Sequence, residues 1–343
     1  MNRTYQSRKG MAGFVAGLIV MLAVFGLYLL RSANVAQAAV DQEESMAYPE
    51  KPVNVVVTFP PGGGTDLLAR KLAAQLEREW GQSWVVENRP GASGNIGARM
   101  VASAPADGYT LLMVNSSFAV NPSVFSQLEF DPKNDFNAVV NVAYVPSVLV
   151  TAAAGPWHSL HDVWQASQTE QGVHFASCGN GTPQHLAGGL LQQLGATQLL
   201  HVPYKGCGPA LSDVLTGHVP VGMVTLSSAS AFIEAGRLRA LAVTSPERHH
   251  ALPDVPSVAE ALGQPYELDQ WHGLLAPAGT PKAVIEKLNT RLNVILRRPD
   301  MQADLEALGY TIAQQSAQEF QRLIVSDIDR FADLSAGMGL QAQ

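Results

Sequence analysis

From Tyr48 onward, short β-branched and apolar runs alternate with longer segments in which apolar residues recur every three or four positions. The short runs are typical of buried strands, and the longer segments are typical of helices that cover a sheet. This alternation predicts an α/β protein with parallel strands joined through helices. The predicted strands are 53–59, 84–87, 110–114, 147–151, 174–176, 201–204, 219–224 and 238–244.

The helical periodicity is clearest in two leucine stripes, one over 68–76 and one over 186–194. Between residues 245 and 270 the pattern weakens into proline-bearing turns, which favours a surface crossing between domains. With 343 residues and 47% hydrophobic content, the chain has enough apolar material for about two globular domains. The composition excludes intrinsic disorder as the main state.

The N-terminal residues have the pattern of an export signal. Arg3, Arg8 and Lys9 precede an uncharged apolar run over 11–30, and residues 36–38 read Ala-Gln-Ala, a small-residue cleavage pattern. We expect residues 1–38 to be a signal peptide. The apolar run is also long enough to span a bilayer, so an uncleaved anchor stays open as the alternative. Either way the remainder is exported, and a periplasmic location is expected.

The charge balance limits the kind of partner. The whole chain has 22 basic and 29 acidic residues, and without residues 1–38 the net charge falls from −7 to −11. Such an acidic chain is not expected to bind nucleic acid or an anionic membrane surface. A monomer is the default expectation.

Two glycine-rich loops occur in the same order of elements: a strand, the loop, a threonine and a helix. The first reads FPPGGGTDLLAR from residue 59, and the second reads ASCGNGTPQHLAG from residue 176. Thr65 and Thr182 are the predicted helix caps, and Pro183 is the expected first helical residue of the second segment. Unpaired N–H groups and the helix dipole at such a terminus suit an anion.

Other short polar loops follow strands, at 88–97, 115–117 and 205–209. Ligands of open α/β sheets bind at the carboxyl ends of the strands, so these loops are expected around one cleft. The alternative is that their glycines only serve tight turns and close helix packing, and that His185 only bonds a neighbouring loop. The candidate ligand-binding residues are Phe59, Gly63, Gly64, Thr65, Asp66, Ala92, Ser93, Asn115, Ser116, Ser177, Gly179, Gly181, Thr182, His185 and Tyr204.

Enzyme and cofactor motifs fail when they are tested against the loops. The first loop lacks the lysine of a phosphate-binding P-loop and the G-x-G-x-x-G spacing of a dinucleotide site. The sequence around Ser93 lacks the second glycine of a nucleophile elbow. Histidines lack partners at metal-ligand spacing. We therefore expect no cofactor, no metal and no catalysis; a secreted hydrolase or isomerase that uses Asp66, His185 or Ser93 is the alternative.

The chain has two cysteines, Cys178 and Cys207, each in a glycine-bearing loop after a predicted strand. In an oxidising exported compartment they are candidates for a disulfide that ties the two loops together. Two free thiols are the competing state. The sequence leaves both open.

The sequence from residue 48 onward resembles a known family. Many blocks between residues 48 and 334, in the same order, are similar to the substrate-binding proteins of tripartite tricarboxylate transporters, the Bug family of periplasmic receptors. The blocks are YPEKPV, PPGGGTDLLAR, ENRPGASGNIGA, ADGYTLL, ASCGNGTPQHLAG, HVPYKGCGPALSDVLTG, LRALAVTS, LPDVPSVAE and WHGLLAPAGTP.

The resemblance implies a type II periplasmic-binding-protein fold, in which two α/β domains close on a small ligand. By analogy the first domain comprises 49–147 plus 270–343 and the second comprises 148–269. It also implies a small-molecule carboxylate ligand and delivery to the membrane permease subunits of the transporter. A sensory module that presents its closed form to a membrane sensor is a further alternative.

One departure from the family pattern bears on specificity. Many relatives carry Phe-Asp where this chain has Met223-Val224, so a carboxylate is missing near the expected cleft. The resemblance therefore makes amine-bearing ligands such as amino acids less expected here.

Overall fold

The computed structural model describes residues 48–195 and 198–338. The chain separates into the units Met1–Tyr48 and Pro49–Gln343, and the elements below belong to the second. The predicted signal peptide lies outside the described residues. Within them, no helix combines the length and the apolar character that a membrane crossing requires.

The described residues form a mixed α/β structure. Its strands are β1 (Val53–Val57), β2 (Trp84–Asn88), β3 (Thr110–Asn115), β4 (Phe136–Ala152), β5 (Val173–Ser177), β6 (Leu199–Pro203), β7 (Val221–Thr225), β8 (Leu238–Val243), β9 (Asp269–Pro277) and β10 (Thr311–Ile312). Its helices are α1 (Gly64–Trp80), α2 (Asn95–Ala102), α3 (Ser117–Val124), α4 (Leu160–Ser167), α5 (Pro183–Gly195), α6 (Cys207–Leu215), α7 (Leu226–Glu234), α8 (Val258–Leu262), α9 (Lys282–Leu296), α10 (Pro299–Glu306) and α11 (Ala317–Gly337).

The strands run in the order β2-β1-β3-β9-β4-β7-β5-β6, with β8 and β10 also paired to β4. Pairing is parallel within β1, β2 and β3 and within β5, β6 and β7, as the alternation of strands and helices predicts. The prediction of parallel pairing is wrong for the strand at 147–151, which is part of β4, because β4 pairs antiparallel with its neighbours, as does β9. The two parallel sets are thus linked through β4 and β9.

Strand β4 is much longer than the predicted 147–151, and β9 was not predicted. Nearly every residue of β4 is buried, on both faces of the strand, so its sequence lacks the alternation that marks a half-exposed strand. Residues 269–277 of β9 are likewise buried throughout apart from Asp269. Strands of this kind cannot be distinguished from other buried segments by periodicity alone.

The helices pack closely on the strands that position the glycine-rich loops. The predicted stripe of α1 is confirmed, since Leu68, Leu72 and Leu76 are all buried. In α5, only glycine fits at position 188, which packs on Phe175 of β5, because a Cβ there would lie 2.3 Å from the ring. Close contact of this kind fixes where each helix begins relative to the sheet edge.

Candidate functional site

Two adjoining cavities open at the carboxyl ends of β1, β5 and β6. The large cavity has a volume of about 660 Å³ and the small one about 50 Å³. Both are lined by Phe59, Pro60, Cys178 and Gly206. The large cavity also contacts Pro90, Gly91, Ala92, Ser93, Gly94, Phe125, Gly179, Asn180, Pro203, Tyr204 and Lys205. The small cavity also contacts Pro61, Gly63, Gly64, Thr65, Asn115, Gln184, Cys207, Gly208, Pro209, Thr225 and His272.

The first glycine-rich loop turns out of β1 and directly becomes helix α1. Gly62 adopts φ 82°, a left-handed conformation that glycine accommodates without a steric penalty. The N-cap is Gly63, whose lack of a side chain leaves the cap without a side-chain hydrogen bond. The prediction that Thr65 caps this helix is therefore wrong: the cap lies two residues earlier, at Gly63, and Thr65 lies inside the first turn.

Asp66 holds this loop in place instead of facing the cavities. Its carboxylate accepts hydrogen bonds from the Gly62 backbone N–H at 2.9 Å and from the Asn88 amide at 2.9 Å, and it pairs with Arg70. Burial alone would raise the pKa of this carboxyl, but the hydrogen bonds from Arg70, Gly62 and Asn88 outweigh it and lower the pKa. Asp66 is therefore a charged residue that stabilises the loop through its hydrogen bonds.

The second glycine-rich loop is closed by its own side chains. Thr182 precedes Pro183 and accepts a hydrogen bond from the His185 backbone N–H at 3.4 Å, which agrees with its predicted role as a cap. Its hydroxyl donates to the Gly179 carbonyl at 2.7 Å. Gly179 and Gly181 have φ values of 137° and 70°. The loop therefore needs glycine at both positions.

Behind this loop, the imidazoles of His185 and His201 stack with centroids 3.9 Å apart. His185 Nδ1 accepts a hydrogen bond from the Gly181 N–H, and His201 Nε2 lies 2.6 Å from Ser177 Oγ. Burial lowers the pKa of His185 to about 4; burial and the neighbouring His185 lower that of His201 to about 3. Neutral His185 thus supports the loop after β5 through its bond to Gly181. This agrees with the alternative to ligand binding, in which His185 bonds a neighbouring loop.

Cys178 and Cys207 are joined by a disulfide, with Cα atoms 4.3 Å apart. Cys178 follows β5 and Cys207 is the first residue of α6, so the bond ties together two loops that line the small cavity. A backbone hydrogen bond from the Gly206 N–H to the Cys178 carbonyl runs beside it.

Ala92 and Ser93 have φ values of 46° and 52°, which few residues with side chains adopt. The Ser93 hydroxyl donates to the Asn180 carbonyl in the wall of the large cavity, and the Asn121 amide donates to the Ser93 carbonyl at 3.0 Å. Ser93 therefore connects two loops of the site. Backbone strain of this kind is typical of functional loops.

The predicted site residues divide into two groups. Those that line a cavity are Phe59, Gly63, Gly64, Thr65, Ala92, Ser93, Asn115, Gly179 and Tyr204. Those that do not are Asp66, Ser116, Ser177, Gly181, Thr182 and His185, all of which have partners within the protein or lie behind the loops.

Ser116 and Tyr204 show that the direction of a hydroxyl group decides whether it can reach a ligand. Ser116 is completely buried, and its hydroxyl accepts a hydrogen bond from the Trp271 backbone N–H at 2.8 Å and donates one to the Trp271 carbonyl at 3.5 Å. Tyr204 lines the large cavity, but its hydroxyl donates to the Asp213 carboxylate. Neither hydroxyl is therefore free to serve as the ligand donor that the sequence predicts.

Three polar residues of the small cavity were not among the predicted ones: Gln184, Thr225 and His272. His272 is 1% exposed, its Nδ1 has no partner within the described residues, and burial lowers its pKa to about 3. Thr225 ends β7, and its position directly after a predicted strand was the available signal. Gln184 and His272 carried none, since one lies inside a helix and the other inside the unpredicted β9.

Charge around the cavities is sparse and positive. Lys205 is the one charged side chain among the described lining residues of either cavity, and no carboxylate is among them. Within the described residues there is also no group of three or more side chains suited to hold a metal ion. Asp66, Ser93 and His185, the residues of the hydrolase alternative, each have a separate partner.

The fold and cleft together are those of a solute-binding receptor with two α/β domains, the type II periplasmic-binding-protein architecture. Sequence comparison then identifies the family: residues 68–340 match the tripartite tricarboxylate transporter family receptor, TctC, and the chain belongs to this family. Its members are receptors and not enzymes.

Individual relatives agree with this assignment. Protein BugT of Bordetella pertussis is 35% identical over 316 residues, which cover 91% of this chain and 95% of BugT. The solved structure of R. palustris Rpa4515 with adipate has a TM-score of 0.84 at 34% identity, covering 86% of this chain and all of that one (100%). MatC of Rhodopseudomonas palustris with bound malate has a TM-score of 0.77 at 30% identity and covers 84% of this chain and 99% of that one.

Proposed function

We propose that this protein is a periplasmic receptor that captures a small carboxylate in the cleft and delivers it to the permease subunits of a tripartite tricarboxylate transporter. The observation that carries the proposal is the composition of the cavity walls. In a chain with 29 acidic residues, the described lining residues include none, and Lys205 supplies a positive charge. Such a wall favours an anion over a cation.

Helix termini add to this preference. The N-terminal residues of α1 and α6, Gly64 and Cys207, both line the small cavity. N–H groups at a helix N-terminus have no intrahelical partner, and the helix dipole stabilises negative charge there. An anion bound between the two helices interacts favourably with both. Adipate and malate, which two relatives hold in their solved structures, are such anions.

Capture involves closure of two domains, 49–147 plus 270–343 and 148–269. Strand pairing supports this division, since β1, β2 and β3 pair with each other and β5, β6 and β7 pair with each other, while β4 and β9 run between the sets. A ligand that contacts loops of both domains binds the closed form better and shifts the population toward it. The signal over 1–38 exports the protein, which acts as a monomer.

A thermal-shift screen of purified residues 39–343 tests the receptor function. The panel contains mono-, di- and tricarboxylates, amino acids and diamines of matched chain length. A ligand at a thousandfold excess over its Kd adds about 4 kcal/mol to the free energy of unfolding, so a carboxylate should raise the Tm clearly. No shift with any carboxylate, together with a shift for an amine, would contradict the proposal.

Two further measurements separate receptor from enzyme and test delivery. Mass spectrometry of the ligand after long incubation should recover it unchanged, since a receptor performs no covalent chemistry.

Uptake of the labelled ligand by cells should fall when this protein is deleted and return on complementation. Uptake that is unchanged by the deletion would remove the permease from the proposal and leave the binding function.

A further inference from the structure

We propose that the Thr225 hydroxyl is a fixed hydrogen-bond donor of the small cavity, and that it selects for a ligand with an acceptor oxygen at that point. The inference rests on the proposed function and names a residue that determines its specificity.

Thr225 lies where several parts of the cleft meet. It is the last residue of β7, it is 4% exposed, and it lines the small cavity together with Gln184 and Cys207. It is also the N-cap residue of α7. A threonine in this position commonly accepts a hydrogen bond from a backbone N–H of the first helical turn. Here its side chain makes no such bond.

The hydroxyl oxygen is used by two amide groups instead. Gln184 Nε2 donates to Thr225 Oγ1 at 3.1 Å, and Gln270 Nε2 donates to the same oxygen at 3.2 Å. Both glutamines are buried, with 1% and 0% exposure. A hydroxyl has two acceptor lone pairs and one hydrogen. Because both lone pairs are occupied, the remaining capacity of Thr225 is that of a donor.

The protein offers this donor only a weak partner. Cys207 Sγ lies 3.5 Å from Thr225 Oγ1, and because it is bonded to Cys178 it carries no hydrogen and can only accept. Sulfur is a weak acceptor. Gln270 turns its Nε2, and not its unpartnered Oε1, toward Thr225, so this amide takes up a lone pair of the hydroxyl and offers its hydrogen no acceptor.

The ligand group that satisfies Thr225 is therefore an acceptor. A carboxylate oxygen is a strong one, because hydrogen bonds to charged acceptors are shorter and stronger than neutral ones. An ammonium group has hydrogens and no acceptor. It would leave the hydroxyl unsatisfied in a cavity whose described lining residues include no carboxylate to pair with it.

Isothermal titration of residues 39–343 with adipate, malate and 1,6-diaminohexane tests the inference. The variants are Thr225→Val, which removes the hydroxyl at similar volume, and Thr225→Ser, which retains it. We expect Thr225→Val to bind the preferred carboxylate about tenfold more weakly or worse, and Thr225→Ser to remain within about threefold of wild type. Circular dichroism melts select a temperature at which all three proteins are folded, since Thr225→Val also deprives both glutamines of an acceptor.

Each outcome decides something different. Equal carboxylate affinity of Thr225→Val and wild type would overturn the role of Thr225 and leave the proposed function standing. Wild-type binding of 1,6-diaminohexane as tight as that of adipate would also overturn the inference, and this comparison does not depend on a variant that folds. Failure of wild type to bind either carboxylate would overturn the proposed function for these ligands and the inference with it.

Discussion

At the scale of single residues, Gly64 shapes the cleft through the side chain that it lacks. A Cβ at this position would lie 2.5 Å from both Ser227 Oγ and Tyr310 Oη. That distance is shorter than real side chains tolerate, so α1 reaches the small cavity only because residue 64 is glycine. Its neighbour Gly63 is different, because a Cβ there would meet only the Pro60 carbonyl at 3.6 Å.

The pair gives a matched test. We expect Gly64→Ala to lower the free energy of unfolding by about 1–3 kcal/mol, because the new methyl group overpacks a buried contact. Gly63→Ala should lower it by less, about 0.5–1 kcal/mol, because alanine is a poorer N-cap residue than glycine but would meet no close contact there. Urea denaturation of both variants measures the difference. Equal stability of the two would show that the close approach of Gly64 to Ser227 and Tyr310 does not constrain the fold.

Individual site residues could be predicted from the sequence only as far as loop position determines them. Asn115 ends β3 and Ser116 follows it directly, yet Asn115 lines the small cavity and Ser116 bonds the backbone of Trp271. The difference depends on β9, a strand contributed from 155 residues further along the chain. A side-chain direction that depends on so distant a strand leaves no signal in the local sequence. His272 lies on the same strand and was not predicted for the same reason.

At the scale of elements, the disulfide joins the loop after β5 to the start of α6. The cysteines are 29 residues apart, and closing a loop of this size in the unfolded chain corresponds to about 3–4 kcal/mol of stability in the chain-entropy account. The double variant Cys178→Ser with Cys207→Ser should be destabilised by up to that amount in thermal or urea unfolding.

Reduction supplies the control, since wild-type protein in reductant should unfold like the double variant. Alkylation followed by mass spectrometry measures the bond directly. Unreduced, denatured wild-type protein should take up no alkyl group, and reduced protein should take up two. Two alkylated sites without reductant would contradict the disulfide.

The stacked histidines make the loop after β5 sensitive to acid. Burial lowers the folded pKa of His185 from 6.5 to about 4, so between these values the unfolded chain binds a proton that the folded protein does not. Its contribution to stability is therefore complete above pH 6.5 and is lost as the pH falls toward 4. His201, His249 and His272, whose pKa values are also lowered, act in the same direction.

Removing one of these groups should flatten the pH dependence. We expect His185→Gln to reduce the slope of unfolding free energy between pH 6.5 and 4 by up to about 1.4 kcal/mol per pH unit. His174→Gln, at an exposed position on β5, is the matched control and should retain the wild-type slope. An unchanged slope in His185→Gln would show that His185 does not stay neutral in the folded protein.

At the scale of the whole molecule, most strands and the fold class could be predicted, because the parallel sets carry strong local patterns. The connection between those sets could not. It is made by β4 and β9, which are buried almost throughout and pair antiparallel across long separations. The part of the molecule that links the two sets is thus the part with the weakest periodicity.

We propose that, in the whole molecule, two domains close on one anion held between the N-termini of α1 and α6. A crystal structure of residues 39–343 grown with the carboxylate that gives the largest thermal shift tests this most directly. We predict a carboxylate group in the small cavity, in contact with the loops of Gly64 and Cys207, and a Thr225 hydroxyl that donates to it. A ligand bound elsewhere, or one whose carboxylate faces away from both helix termini, would contradict the account.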